Sequence, residues 1–394
     1  METYPALSSL PARLLMGPGP SDVHPRVLQA MATPLLGHLD PAFLEVMNHT
    51  RDLLRFVFQT QNELTLPIAG TGSAGMEAAL CNLLEPEDRV LMVVNGYFGE
   101  RLCEMAGRCG AQVARLEVPW GEAVRPEQLE QALRSGPAKL VALVHAETST
   151  GVLQPLPELA ALAHAHGALL LVDAVTSLGG VEVATDLWGV DACYAGTQKC
   201  LSCPPGLAPL TFGPAARSAL QKRCRKVTSW YLDLNLIAQY WGQERVYHHT
   251  APISANYALY EALRLVHGEG LEARFARHWS NARALWAGAA ALGLRLLVPE
   301  PIRLPTLNTV CVPEGVDEAR VRRRLLQELG IEMGGALGEL KGRVWRVGLM
   351  GYSSRRENVL QFLAALGRAL RAEGLAADVP SAVAAACSAW EEAA

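Results

Sequence analysis

The chain of 394 residues carries 35 basic and 39 acidic side chains, a formal net charge of −4, and half of its residues are apolar. That composition excludes a disordered chain and, with no basic block, a dedicated nucleic-acid binder, while the length allows two or three domains. No apolar run reaches the roughly 18 residues of a membrane span. The opening METYPALSSLPARLLM lacks a secretory layout, and nine scattered cysteines form no secreted disulfide framework, so a cytoplasmic protein is expected.

Residues 41–58 (PAFLEVMNHTRDLLRFVF) place Phe43, Val46, Met47, Leu53, Leu54, Val57 and Phe58 at helical spacing, the stripe of a core-facing helix. From residue 64 apolar runs alternate with helical patterns. LTLPIAG (64–70) precedes a helix from Ala74 to Leu84, and RVLMVVN (89–95) precedes one from Tyr97 to Cys109. QVARLEV (112–118) leads to PEQLEQALRS, KLVALVHAE (139–147) to PLPELAALAHAHG, and ALLLVDAV (168–175) follows. DACYAGT (191–197) and LAPLTFG (207–213) add two strands. Continuous apolar strands separated by helices indicate βαβ units and a sheet covered on both faces.

After Pro252 the pattern changes. A helical stretch from Asn256 to Ala291 is interrupted near Gly268–Gly270. The short strands 306–313 and 344–351 then alternate with helices around Glu318–Leu329 and Arg356–Leu370, and an Ala-rich helix starts near Ala376. The expected fold is α/β: a large, mainly parallel, seven-stranded α/β/α domain and a smaller C-terminal α+β domain. The expected divisions are an arm at 1–20, a large domain at 21–268 and a small domain at 269–394.

Three features carry chemistry. Thr71-Gly72-Ser73 and the following Ala74-Gly75 sit between a strand and a helix, where small residues and a helix N-terminus suit a phosphate. No GK[ST] follows, so a nucleoside triphosphatase is disfavoured. Asp173 ends an apolar strand, where a carboxylate needs a partner. Lys199 follows another strand, 26 residues on, and is one of only five lysines against 30 arginines. A sheltered lysine has a depressed pKa and a reactive amine. Together these read as a pyridoxal 5′-phosphate (PLP) site, with the phosphate on Thr71–Gly75, Asp173 on the ring nitrogen and Lys199 as the Schiff-base lysine. The lone Cys200–Cys203 pair and the adjacent His248 and His249 do not make a metal site, because no further ligands are spaced near them.

The blocks LMGPGPS (15–21), VFQT (57–60), MEAAL (76–80), NG (95–96) and ETSTGVLQP (147–155) now join SLGG (177–180), PPG (204–206), YHHT (247–250) and WRVG (345–348). In that order the sequence resembles the alanine–glyoxylate/serine–pyruvate aminotransferases, a class V, fold-type I family, over nearly its whole length. The resemblance implies that Lys199 is catalytic and moves the substrate proton. Asp173 pairs with the ring nitrogen, Thr148 lies near the ring hydroxyl, and Thr71, Gly72, Ser73 and Gln198 serve the phosphate. Tyr247 and Thr250 reach the phosphate of the neighbouring subunit, which makes a homodimer. Arg346 and Gly17 bind substrate, the guanidinium of Arg346 clamping its carboxylate. Phe98 stands where relatives commonly have a stacking tryptophan, and Ser73 where some have histidine.

The implied reaction passes the amino group of alanine or serine to glyoxylate or pyruvate. Alternatives are serine–glyoxylate, (S)-ureidoglycine–glyoxylate and aminoethylphosphonate transamination; the ureidoglycine enzymes are expected to differ at Tyr247. A PLP-binding regulatory protein on the same scaffold is the non-enzyme alternative, and retention of Lys199, Asp173 and Arg346 together argues against it.

Overall fold

The structure, a computed structural model, describes residues 6–392. At its centre lie seven strands: β1 (Leu64–Ala69), β2 (Arg89–Val94), β3 (Gln112–Glu117), β4 (Leu140–Val144), β5 (Leu169–Asp173), β6 (Ala192–Tyr194) and β7 (Leu207–Phe212). They are ordered β1-β7-β6-β5-β4-β2-β3 across the sheet. Neighbours are parallel except where β7 runs antiparallel to β1 and β6.

Two cores explain the uninterrupted apolar runs. Along β2, Val90, Met92 and Val94 pack on one face, and Leu91 and Val93 on the other. In β4, Leu140, Ala142 and Val144 oppose Val141 and Leu143 in the same way. A strand has a side-chain period of two, so covering both faces removes the polar half of the pattern. Helix α1 (Pro41–Phe58) starts at Asp40, whose carboxylate accepts the Ala42 N–H, and buries Phe43, Met47, Leu54, Val57 and Phe58. Helices α2 (Gly72–Leu83) and α3 (Tyr97–Arg108) follow β1 and β2 directly.

The run 139–147 is not one strand. It stops at Val144, and Ala146–Glu147 turns back to pair with Val152–Leu153. Gly151, at φ +80°, closes that turn, with its N–H donating to Glu147 O. The turn lifts Glu147 and Thr148 off the sheet edge.

Helices α4 (Ile253–Glu269) and α5 (Leu271–Ala291) meet at Gly270, whose φ of +81° breaks the long helical stretch. Strand β8 (Leu307–Cys311) pairs antiparallel with β9 (Val344–Gly348), and Gly334–Gly335 flanks the other edge of β9. Helices α6 (Glu318–Leu329), α7 (Arg356–Ala372) and α8 (Val379–Glu391) complete this part. A third core joins α5, β8, β9, α7 and α8, and Met16 enters it from the N-terminal segment. Leu14–Leu15 pairs parallel with Ile331–Glu332 to bring it there. Hydrogen bonds from Thr309 to Thr150 O (2.7 Å) and from Thr306 to Thr176 O (3.0 Å) seat β8 against the loops of the large sheet.

Candidate active site

Strands β1 to β6 all point the same way, so their carboxyl ends open on one edge, where ligands bind in open α/β sheets. A cavity of about 280 Å³ lies there. Thr71, Gly72, Ser73, Phe98, Thr148, Asp173, Gln198 and Lys199 all line it.

Lys199 is fixed by its backbone. Ser21 donates through its hydroxyl to Lys199 O (2.7 Å) and through its N–H to Gln198 O (2.9 Å), while Arg274 donates to Cys200 O (2.6 Å). The Lys199 ammonium donates to Pro18 O. Only 8 % of Lys199 is exposed, and burial, followed by the nearby Arg346 charge, depresses its pKa to about 8. A neutral amine is therefore within reach near physiological pH. The adjacent Cys200 is no rival nucleophile: burial pushes its thiol up to about 11, and it donates to Thr176 O.

Asp173 ends β5 and is 2 % exposed. Its carboxylate accepts the Val175 N–H (2.8 Å) and the Tyr194 hydroxyl (2.7 Å). Burial nevertheless raises its pKa to about 6, outweighing those hydrogen bonds. A carboxylate so placed is stabilised by a cationic ring N–H, which is the partner that PLP offers.

The turn from β1 into α2 is tight. A Cβ on Gly70, which has a φ of +142°, would lie 2.5 Å from Ala74 Cβ. Thr71 is the N-cap but makes no side-chain capping bond, so the first-turn N–H groups of α2 lack a side-chain cap. The Gln198 side-chain oxygen is buried without a partner beside them. A phosphate suits the N–H groups, and Gln198 can meet it only through its amide NH₂, since its oxygen accepts as a phosphate does. The donor set, the buried amine and the buried carboxylate thus fit PLP.

Phe98 stands in the first turn of α3. Its N–H donates to Glu147 (3.2 Å), and the Tyr97 N–H donates to Ser149 Oγ (2.9 Å). Glu147 is fully buried and also accepts from Ser149. It caps α3 from across the site and so fixes Phe98. Gly96 leaves room for it, since a Cβ there would lie 2.3 Å from Glu147 Cγ. Thr148 Oγ1 shares a hydrogen bond with Thr176 Oγ1 (2.5 Å).

Arg346 and Gly17 do not line the cavity in this structure. Arg346 is buried in β9 and donates to Gly335 O (2.8 Å) and Thr148 O (3.3 Å), so it reaches the cavity wall through Thr148. Burial lowers its pKa to about 10. Gly17 sits against the Glu332–Gly334 segment; a Cβ on it would be 3.5 Å from Glu332 Oε1. Tyr247 and Thr250 are exposed, and neither faces the cavity of its own chain. The Tyr247 hydroxyl is 3.5 Å from Thr250 Oγ1 and its ring centroid 5.2 Å from that of His38. His248 stacks on Trp230 at 4.4 Å and pairs Nδ1 to Nδ1 with His249 (2.8 Å), an aromatic cluster.

The structure adds residues that the sequence does not mark. Tyr194, Glu147, Ser21 and Arg274 hold the functional groups, and Gly19, Met76 and Arg101 line the cavity. The nearest signal was position: Glu147 lies inside one of the quoted blocks and Tyr194 in the strand before Lys199.

A family model described as aminotransferase class-V matches residues 14–346. A solved structure of alanine–glyoxylate aminotransferase from Nostoc sp. is 54% identical, covers 94% of this chain and 98% of its own, and superposes with a TM-score of 0.93. That of ureidoglycine–glyoxylate aminotransferase from Bacillus subtilis is 44% identical over 97% of this chain and 99% of its own, with a TM-score of 0.95. The alanine–glyoxylate aminotransferase of Callithrix jacchus is 42% identical over 92% of this chain and 89% of its own.

Proposed function

The chain belongs to the class-V aminotransferases, enzymes that work with PLP, and from that premise we propose that it passes the amino group of L-alanine or L-serine to glyoxylate or pyruvate. The observation that carries this reading is the convergence of Lys199, Asp173 and the N-terminus of α2 on one cavity, with Arg346 one hydrogen bond away.

When bound, PLP supplies a carbonyl carbon that condenses with amines and a ring that takes up electrons from the substrate's α-carbon. Thr71, Gly72, Ser73 and Gln198 would hold its phosphate, Phe98 would pack on its ring, and Thr148 would serve the ring hydroxyl. Asp173 keeps the ring nitrogen protonated. With PLP bound, Lys199 Nζ would be the base that takes the proton from the donor's α-carbon and the acid that gives it up again. Arg346 exchanges its carbonyl acceptors for the substrate carboxylate, a bidentate partner that suits a guanidinium, and Gly17 borders that place. A cavity of about 280 Å³ is small for a ligand site, and the room left beside a cofactor suits a small side chain.

Tyr247 and Thr250 complete the neighbouring subunit's phosphate site in a homodimer. The 58 % exposed Tyr247 supports this, together with Trp230, Tyr231 and Val246, all exposed as well, because an exposed apolar group of this kind marks an interface. The divisions at 20/21 and 268/269 belong to the same reading, supported by the separate third core and the break at Gly270. So does a cytoplasmic location; among the described residues no helix is long and apolar enough to cross a membrane.

The 44% identity to a ureidoglycine–glyoxylate enzyme keeps (S)-ureidoglycine as the second donor, with serine–glyoxylate transamination a variant of the first reading. A panel of alanine, serine, aspartate, ureidoglycine and aminoethylphosphonate against glyoxylate and pyruvate decides by kcat/KM. Lys199→Ala abolishes multiple-turnover transamination; full activity in that variant would sink the assignment. A coloured protein whose band no amino acid bleaches would favour the regulatory alternative.

A further inference from the structure

Arg101 has no part in the reaction just described, yet three observations single it out. It lines the cavity beside Ser73, Phe98 and Lys199. Its Nη1 donates to Ser73 Oγ (3.2 Å), at the uncapped N-terminus of α2, and among the described residues no carboxylate pairs with it. Its guanidinium carbon lies 4.9 Å from the Phe98 ring centroid and 5.4 Å from that of Tyr97. Phe98 and Arg101 are three residues apart on α3 and therefore share a face. The Glu147 cap fixes that helix end, and with it the Tyr97 and Phe98 rings that the guanidinium lies over.

Charge makes the position meaningful. A phosphate monoester brings nearly two negative charges at neutral pH. A helix N-terminus offsets about half a charge, and the buried Asp173 and Glu147 add acidic groups to the same region. The cavity wall carries two cations, Arg101 and Lys199, and the Lys199 nitrogen is committed to carbonyl chemistry.

We propose that Arg101 is the residue that makes this site selective for a phosphorylated cofactor, by holding a permanently charged guanidinium at Ser73 where the phosphate enters. Ser73 orients one edge of the guanidinium, and the Phe98 and Tyr97 rings hold it. The inference rests on the PLP reading and goes beyond it by adding a charged side chain on α3 to the phosphate's partners.

The test titrates the apo-protein, followed by visible absorbance, with PLP, with unphosphorylated pyridoxal, and with inorganic phosphate as a competitor of PLP. Arg101→Gln is expected to weaken PLP about 10- to 100-fold, the weight of a charged hydrogen bond, and to weaken competition by phosphate by a similar factor. Pyridoxal binding stays within about threefold of wild type, which also shows that the variant has folded. Arg101→Lys recovers part of the PLP affinity. Equal weakening of PLP and pyridoxal would make Arg101 a mere prop for Phe98, and no change in either would make it a surface charge; both overturn the proposal. A wild-type apo-protein that does not take up PLP overturns the cofactor assignment instead, so the two failures are distinct.

Discussion

The Tyr194 hydroxyl donates to the Asp173 carboxylate at 2.7 Å, from the position directly opposite it on the neighbouring parallel strand. Two neighbouring strands thus build the acidic end of the site. The bond favours the carboxylate against the burial that raises its pKa. Tyr194→Phe keeps the ring and removes the bond, so the Asp173 pKa rises further. The acid limb of the kcat/KM profile is expected to move up by about half to one pH unit. An unmoved limb would rule out this role for Tyr194.

Asp173 also sets a balance between stability and activity. Its folded pKa is raised from 3.8 to about 6, so the folded state binds more protons than the unfolded state between those values. Stability therefore falls as pH rises through that window, and the penalty is complete above it, on the order of 3 kcal/mol. Asp173→Asn escapes it: the amide oxygen keeps the Val175 N–H, and the Tyr194 hydroxyl accepts from the amide NH₂. Apo Asp173→Asn is expected to melt at a higher temperature than wild type at pH 7.5, with the gap closing toward pH 4, while turnover collapses. Thermal scans at both pH values check the sign.

A third prediction concerns the lysine. With a pKa of about 8, Lys199 becomes a neutral amine as pH rises through that value, far below the usual 10.5. At pH 7 about one molecule in ten then has the reactive form. The rate at which apo-protein captures PLP, read by stopped-flow absorbance, is expected to climb with pH and level off above about 9. Replacing Arg346 with leucine removes a neighbouring charge and moves the inflection upward. A wild-type rate still rising steeply at pH 10 would mean that the amine is not desolvated.

Much of this is legible in the amino-acid order because parallel sheets buried on both faces write long apolar runs, and a carboxylate or lysine at the end of such a run stands out. Asp173 and Lys199 do so. Tyr194 does not, since in DACYAGT it is one more large strand residue, and its hydroxyl matters only through the register with Asp173. Arg101 is lost among 30 arginines until α3 sets it one turn from Phe98. Glu147 ends an apolar run that reads as one strand through residue 147. The break after Val144 and the turn at Gly151 move it to the cap of α3, a partner that the run itself does not show. Tyr247 and Thr250 enter through the family pattern, since their place lies outside their own chain's cavity.

Gly19 illustrates a constraint that composition hides. Its φ is +116°, and a Cβ there would lie 2.8 Å from both Nζ and Cδ of Lys199. Gly19→Ala therefore displaces the free end of the lysine and strains the backbone by about 1–3 kcal/mol. The expected phenotype is a melting temperature lower by a few degrees, with PLP capture slowed more than about tenfold because the amine is misplaced. Capture at the wild-type rate would show that the lysine has another path to the cavity.

The proposed sharing of the site between subunits makes the sharpest demand on quaternary structure. Lys199→Ala removes the amine from its own cavity, and on the proposed arrangement Tyr247→Ala removes a phosphate ligand from the neighbouring one. In a dimer of one subunit of each kind, the cavity that keeps Lys199 also receives an intact Tyr247, so one site in two is whole. Co-refolding equal amounts of the two variants makes about half of the dimers mixed, and activity returns to about a quarter of wild type. If each chain instead supplied its own Tyr247, both cavities of the mixed dimer would be defective and no activity would return. The comparison needs only the two single variants as baselines, and the recovery must appear after mixing by refolding and not after simple mixing of the folded proteins.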